Sequence, residues 1–217
     1  MVRTLLIGCF LLFSVNFTSA QSWLEYYEST YLYWDKDWNK SIDLLQKAVT
    51  LAEKDIGSEH PNYAVLLNDL GLCYWQIGDF KQATAALEKS IRIKRVSLGE
   101  NDPDYKASLL NLASILHDNN QVKAENLYLN IIESYKKSDF KDAFYTTALN
   151  SLGNLYETQA NYSQAEKFYL LALSHKGETA GISHPTYAKV LLDLGNLYKK
   201  AGNLKKAEDH FLQAQAV

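Results

Sequence analysis

The chain has 217 residues, 47% hydrophobic and 22% charged, a balance that supports a sizeable folded core and excludes a disordered tail. Its formal net charge of −3, with no basic block, argues against nucleic acid as a partner. Only three prolines interrupt a composition rich in helix-tolerant residues, so the expected fold is mostly helical.

The first element is "MVRTLLIGCFLLFSVNFTSA", with Arg3, an apolar run from Leu5 to Val15, and small residues at Ser19 and Ala20. This layout predicts a secretory signal peptide over residues 1–20, cut before Gln21, and a secreted or periplasmic mature protein. The alternative is a membrane anchor, but crossing the hydrocarbon takes roughly 20 apolar residues and this run is shorter. Removal takes the net charge from −3 to −4 and leaves Cys73 as the one cysteine, so no internal disulfide is available and packing must supply the stability. Asn39-Lys40-Ser41 and Asn161-Tyr162-Ser163 are glycosylation acceptors only in a eukaryotic host.

The rest of the chain repeats itself. Leu70, Leu112, Leu152 and Leu194 are spaced by 42, 40 and 42 residues. Gly71, Ala113, Gly153 and Gly195 follow them, and Tyr74, Leu116, Tyr156 and Tyr198 come three places later. Ala83, Ala124, Ala165 and Ala207 form a further column, with Leu87, Tyr128, Tyr169 and Phe211 four residues beyond. Leu67, Leu70 and Tyr74 share one helical face, as do Ala83 and Leu87, so each period holds two amphipathic helices. Small residues in the Gly71 and Ala83 columns let the two axes approach closely. "IGDF", "QANY" and "AGNL" supply the turn and an Asp or Asn to cap the second helix. "HPNY", "DPDY" and "HPTY" place Pro61, Pro103 and Pro185 where one hairpin gives way to the next.

These columns resemble the tetratricopeptide repeat, whose pattern Leu149, Leu152, Gly153, Tyr156, Ala165 and Tyr169 follow in order. The 42-residue period and the "HP-x-Y" connector are similar to the kinesin-light-chain type, which inserts about eight residues between hairpins. Such arrays also stand ahead of caspase-like (CHAT) peptidase domains in secreted or periplasmic bacterial proteins. The resemblance implies an all-α, right-handed superhelical solenoid of antiparallel hairpins, with five repeats at 22–55, 64–97, 106–137, 146–176 and 188–217. The first is divergent, and Ser29, Leu32, Ser41 and Leu45 fall in its columns. The third replaces Gly by Ala113 and Tyr by Leu116 and loses one turn residue. Phe211, Leu212 and Ala214 are expected to lie open on the last helix, so the natural protein is expected to continue or to pack on another chain there.

The same resemblance implies a concave groove lined by the first helix of each hairpin, which receives a protein or peptide ligand. Carried over by position, its lining is Trp23, Tyr26, Tyr33 and Trp34 in the first repeat and Asn68, Leu72 and Trp75 in the second. Leu110, Ser114 and His117 follow in the third, Asn150, Asn154 and Glu157 in the fourth, and Leu192, Asn196 and Lys199 in the fifth. Asn150 and Asn154 are one turn apart, so both amides are expected to face a ligand backbone. Trp23, Trp34 and Trp38, with the surrounding tyrosines, could offer an aromatic floor for peptide or sugar, or simply cover the core of a terminal repeat, the reading preferred here. Lys199, Lys200, Lys205 and Lys206 form a basic stretch best read as a solvated surface.

Chemistry is thinly represented. None of the five histidines has metal-ligand spacing with another His or a Cys, and His60 and His184 occupy equivalent connectors. No phosphate loop, nucleophile elbow or Cys-His pairing is present, and Cys73 reads as a small buried apolar residue. The expectation is a non-enzymatic protein-binding scaffold needing no cofactor or metal. The alternative is the recruiting arm of a longer enzyme whose catalytic domain follows Val217, and carbohydrate binding by the first repeat is a third reading.

Overall fold

The computed structural model describes residues 22–135 and 142–217; the expected signal peptide lies outside them. Ten helices form among the described residues, with no strand. They pair in order as α1 (Ser22–Thr30) with α2 (Trp38–Asp55), α3 (Pro61–Gln76) with α4 (Phe80–Ser97), and α5 (Pro103–Leu116) with α6 (Gln121–Ser134). Then α7 (Ala143–Thr158) pairs with α8 (Tyr162–Thr179) and α9 (Pro185–Lys200) with α10 (Leu204–Gln215). Each helix packs on its neighbours in the chain, and the first helices also meet one another, α3 with α5 and α5 with α7. No described helix is long and apolar enough to cross a membrane.

Side chains at the connectors start the helices. His60, Asp102 and His184 accept from the backbone N–H of Asn62, Asp104 and Thr186, with Pro61, Pro103 and Pro185 as the first helical residues. Proline costs nothing there because its missing N–H has no partner in a first turn. Asp37, Asp79, Asn120, Asn161 and Asn203 cap the second helices by accepting from the N–H three residues on, each contributing about 1 kcal/mol.

Within the hairpins the small column brings two helices into contact. A Cβ on Gly71 would lie 2.9 Å from Leu87 Cγ and 3.1 Å from the Ala83 carbonyl oxygen. On Gly153 it would lie 2.7 Å from Tyr169 Cδ1, and at Gly195 the ring of Phe211 is closer still. The large residue of the second helix therefore sits on a bare Cα of the first. Between hairpins the Tyr column reaches back to the preceding second helix. Tyr74 Oη accepts from Gln46 Nε2 at 2.8 Å, while Tyr156 and Tyr198 donate to Glu125 and Glu166, both at 2.5 Å. Leu116 has no hydroxyl to do this in the third repeat.

The turn inside every hairpin but the third, which is one residue shorter, holds a residue at positive φ. Gly78 and Gly202 hold it at 80° and 77°, but the fourth repeat places Ala160 there at 56°. A Cβ in this region costs about 1 kcal/mol or more. Ala160→Gly is therefore expected to stabilise the protein by about 1 kcal/mol, less the extra freedom glycine gives the unfolded chain. Urea titration checks this, and an unchanged or lower midpoint contradicts it.

The two ends differ. In repeats two to five the Leu67 and Leu70 columns are buried leucines, whereas the first repeat carries Glu25 and Glu28 there, both exposed. At the other end Leu212 is exposed, as expected, but Phe211 is half-buried because its ring fills the space over Gly195.

Candidate functional site

The sequence-derived lining divides into three groups. Trp23, Leu72 and Leu110 are buried in the interior and are not available to a ligand. For Leu110 the reason is lateral packing: α5 is flanked by α3 and α7, so a position that faces outward on α9 is covered in the middle of the array. Leu192, in the same column as Leu110, is exposed on α9.

A second group ties neighbouring repeats together. Asn68 Nδ2 donates to Asp69, and its Oδ1 accepts from Ser108 Oγ at 3.0 Å and Asn111 Nδ2 at 3.1 Å. Tyr27 donates to Asp69 at 2.8 Å. Asn150 Nδ2 donates to Asp193 Oδ2 at 2.9 Å. The expectation that Asn150 faces a ligand alongside Asn154 is thus corrected: its amide clamps α7 to α9. Tyr26, Tyr33 and Trp34 are half-buried, with Lys47 and Lys40 over the two tyrosine rings and Trp34 set between Tyr31 and Trp38. Tyr26, Trp34 and Trp38 pack on the core of the first repeat. Trp75 packs against the central core, Ser114 is half-buried, and His117 meets the edge of Tyr128 at 6.3 Å.

The third group converges. Asn154, Glu157, Asn196 and Lys199 line one cleft of about 560 Å³ between repeats four and five, joined by Tyr169, Asp193 and Lys200. Asn154, Asn196, Lys199 and Lys200 are exposed, while Glu157 and Tyr169 are buried. Glu157 accepts from Tyr169 Oη at 2.8 Å and pairs with Lys200 Nζ at 2.6 Å. Burial raises the Asp193 carboxyl above its ordinary range, with Glu157 adding to the rise and the Asn150 amide and Lys189 opposing it. Burial and the Glu157 charge likewise hold the Tyr169 phenol far above its usual value, so it remains a donor. The cleft combines a floor of fixed acceptors with a rim of exposed amides and exposed ammonium groups. Such a surface suits recognition of a polar chain.

Asp193 was not singled out from the sequence, although it stands in a polar column with Asp69, Asn111 and Ser151, one residue after the Asn68 column. That column was the available signal. Cys73 is buried and its thiol is pushed up to about 12 by desolvation, with Asp69 adding to the rise, so it is no nucleophile at neutral pH. Among the described residues no group of three or more His, Cys, Asp or Glu could hold a metal ion.

Comparison with known proteins agrees with this architecture. The chain is 24% identical over 136 residues to a clustered mitochondria protein homolog of Neosartorya fischeri, covering 61% of this chain and 10% of that one. It thus spans about a tenth of the length of the curated relatives it matches. Among solved structures, the TPR-like repeats of a putative kinesin light chain from Podosopora anserina superpose with a TM-score of 0.78 at 20% identity, covering 93% of this chain and 96% of that one. BtubC (BKLC) from P. vanneervenii gives 0.75 at 23% identity, with 86% and 76% covered. At such identities the likeness concerns the fold alone. The family profile described as tetratricopeptide repeat matches residues 23–95 and 144–217, more than half of the sequence, and the chain therefore belongs to the tetratricopeptide repeat family.

Proposed function

We propose that this protein is a non-enzymatic scaffold that takes a protein or peptide segment in the cleft between its fourth and fifth repeats. The observation that carries this reading is the meeting of Asn154 and Asn196, exposed amides in equivalent positions of successive first helices, over one cleft. Each amide offers a donor and an acceptor, which is what the backbone of an extended peptide presents in return. Arrays of this family are commonly protein-binding modules, and no catalytic constellation is visible in the sequence. The leader-like pattern read at residues 1–20 of the sequence favours action in a secreted or periplasmic setting.

Selection of binders from a displayed peptide library tests the reading. Peptides that bind the native protein are expected to lose roughly tenfold or more in affinity for the Asn154→Ala/Asn196→Ala variant, at about 1 kcal/mol for each hydrogen bond removed. Unchanged affinity would place the ligand elsewhere. An apolar groove of about 320 Å³ along α10, walled by Leu204, Phe211 and Leu212, favours a second reading. In it, the array is the recruiting arm of a longer enzyme such as a caspase-like peptidase, with a catalytic domain packed there. Mass spectrometry of the native polypeptide would support it by finding a domain with a His and Cys pair, and would refute it by finding none.

A further inference from the structure

Glu157 and Lys200 form an unequal pair. The carboxylate side chain is 5% exposed and held in place by Tyr169, whereas the ammonium side chain is 58% exposed and belongs to the last residue of α9. The anion is thus part of the floor, and its cation is an exposed side chain reaching in from the rim. Asp193, also in the floor, is fixed by the Asn150 amide. An incoming anion could meet the exposed Lys199 on the rim, but in the floor it would have to settle against two fixed carboxylates, which like-charge repulsion and desolvation both oppose. An incoming cation meets the reverse: it can take the place of an exposed side chain that gains little from its own ion pair and recovers rotamer freedom when released.

We propose that the ligand of this cleft inserts a cationic side chain, arginine in preference to lysine, which displaces Lys200 from Glu157. The preference follows from geometry. A guanidinium presents five donors in a planar fork, matching a site whose acceptors are two carboxylates and the carbonyl oxygens of Asn154 and Asn196. Lys200 acts as an internal stand-in that keeps the buried carboxylate paired while the cleft is empty of ligand. The inference rests on the peptide-binding reading of the cleft and adds the chemistry of the residue recognised.

The test uses the intact, ¹⁵N-labelled protein and three blocked pentapeptides, Gly-Ala-Xaa-Ala-Gly, with arginine, norleucine or aspartate at the centre. At millimolar concentration the arginine peptide is expected to shift the amide signals of Asn154, Asn196 and Lys200 more than the norleucine peptide does, and the aspartate peptide least. Lys200→Met, on the surface, removes the competitor and is expected to tighten arginine-peptide binding about two- to fivefold. Glu157→Gln, which still accepts from Tyr169, is expected to weaken it by about tenfold or more. Stronger binding of the aspartate peptide, lost in Lys200→Met, would overturn the charge assignment while leaving the cleft as a peptide site. Equal binding of all three would also remove the cation's role, and no shift from any of them would remove the peptide site as well.

Discussion

Gly153→Leu is expected to cost about 3 kcal/mol, the upper part of the range for forcing extra atoms into a packed interior. A Cβ at Gly153 alone would come within 2.7 Å of the Tyr169 ring, so the ring must shift slightly for alanine and much further for leucine. Tyr169 is 1% exposed, and its hydroxyl is held by the buried Glu157. Gly153→Ala should cost far less. Alanine gains about 1 kcal/mol of helix propensity over glycine, and the third repeat already places Ala113 in the column that faces its own tyrosine, Tyr128. Denaturant titration of both variants separates the two effects. Hydrogen exchange should show the loss concentrated in α7 and α8, because a solenoid repeat contacts only its neighbours. A leucine variant as stable as the native chain would mean that these helices do not need their close approach.

The second large effect is expected at Lys94, a buried lysine in α4. Its ammonium donates to Ser108 Oγ at 3.0 Å and to the Asp104 carbonyl oxygen at 3.3 Å. From Ser108 the chain of bonds runs through Asn68 to Asp69 and Tyr27, so one network joins the first three repeats. Burial lowers the Lys94 pKa below its ordinary value, against the attraction of Asp104, Asp69 and Asp102. The Asp69 pKa is raised by burial, while the bonds from Tyr27 and Asn68 and the Lys94 charge oppose the rise. Lys94→Met keeps the volume but removes the compensating charge, and about 2 to 3 kcal/mol should be lost at neutral pH.

The pH dependence distinguishes this loss from a packing defect. Without Lys94 the Asp69 pKa in the folded state climbs further above its ordinary 3.8. Between 3.8 and that raised value the folded state holds a proton that the unfolded state has released, so stability falls as pH rises through the window. The gap between Lys94→Met and the native protein should therefore widen from about pH 4 to about pH 7. Asp69→Asn in the same chain should close part of it. A gap that is the same at both pH values, with no rescue by Asp69→Asn, would show that only packing is involved.

These residues also show what the sequence could disclose. The helical hairpins were legible because Leu70, Gly71, Tyr74, Ala83 and Leu87 recur at a fixed period, and periodicity reports directly on which faces are buried. The capping roles of Asp79, Asn161 and Asn203 were legible for a similar reason, since a cap acts on its own next turn. His60 and His184 are legible as connector residues, but their acceptance of a backbone N–H is not.

The groove was less readable, because a column fixes a residue's place on its helix and not what lies beside that helix. Leu110 and Leu192 share a column, yet one is covered by adjoining first helices and the other is open. Asn150 and Asn154 are a turn apart, yet only Asn150 meets an aspartate of the next repeat, 43 residues on. Such pairings depend on the lateral offset between repeats, which a single period does not encode. The burial of Lys94 and Asp69 is likewise illegible in one period, because it follows from three repeats closing around them.

The unlike ends of the array bear on how copies of it could polymerise. A filament grows when the tail of one molecule accepts the head of the next, and here the apolar flank of α10 would be asked to accept Glu25 and Glu28. Two carboxylates stripped of water against Phe211 and Leu212 would make a head-to-tail union of these two repeats unfavourable.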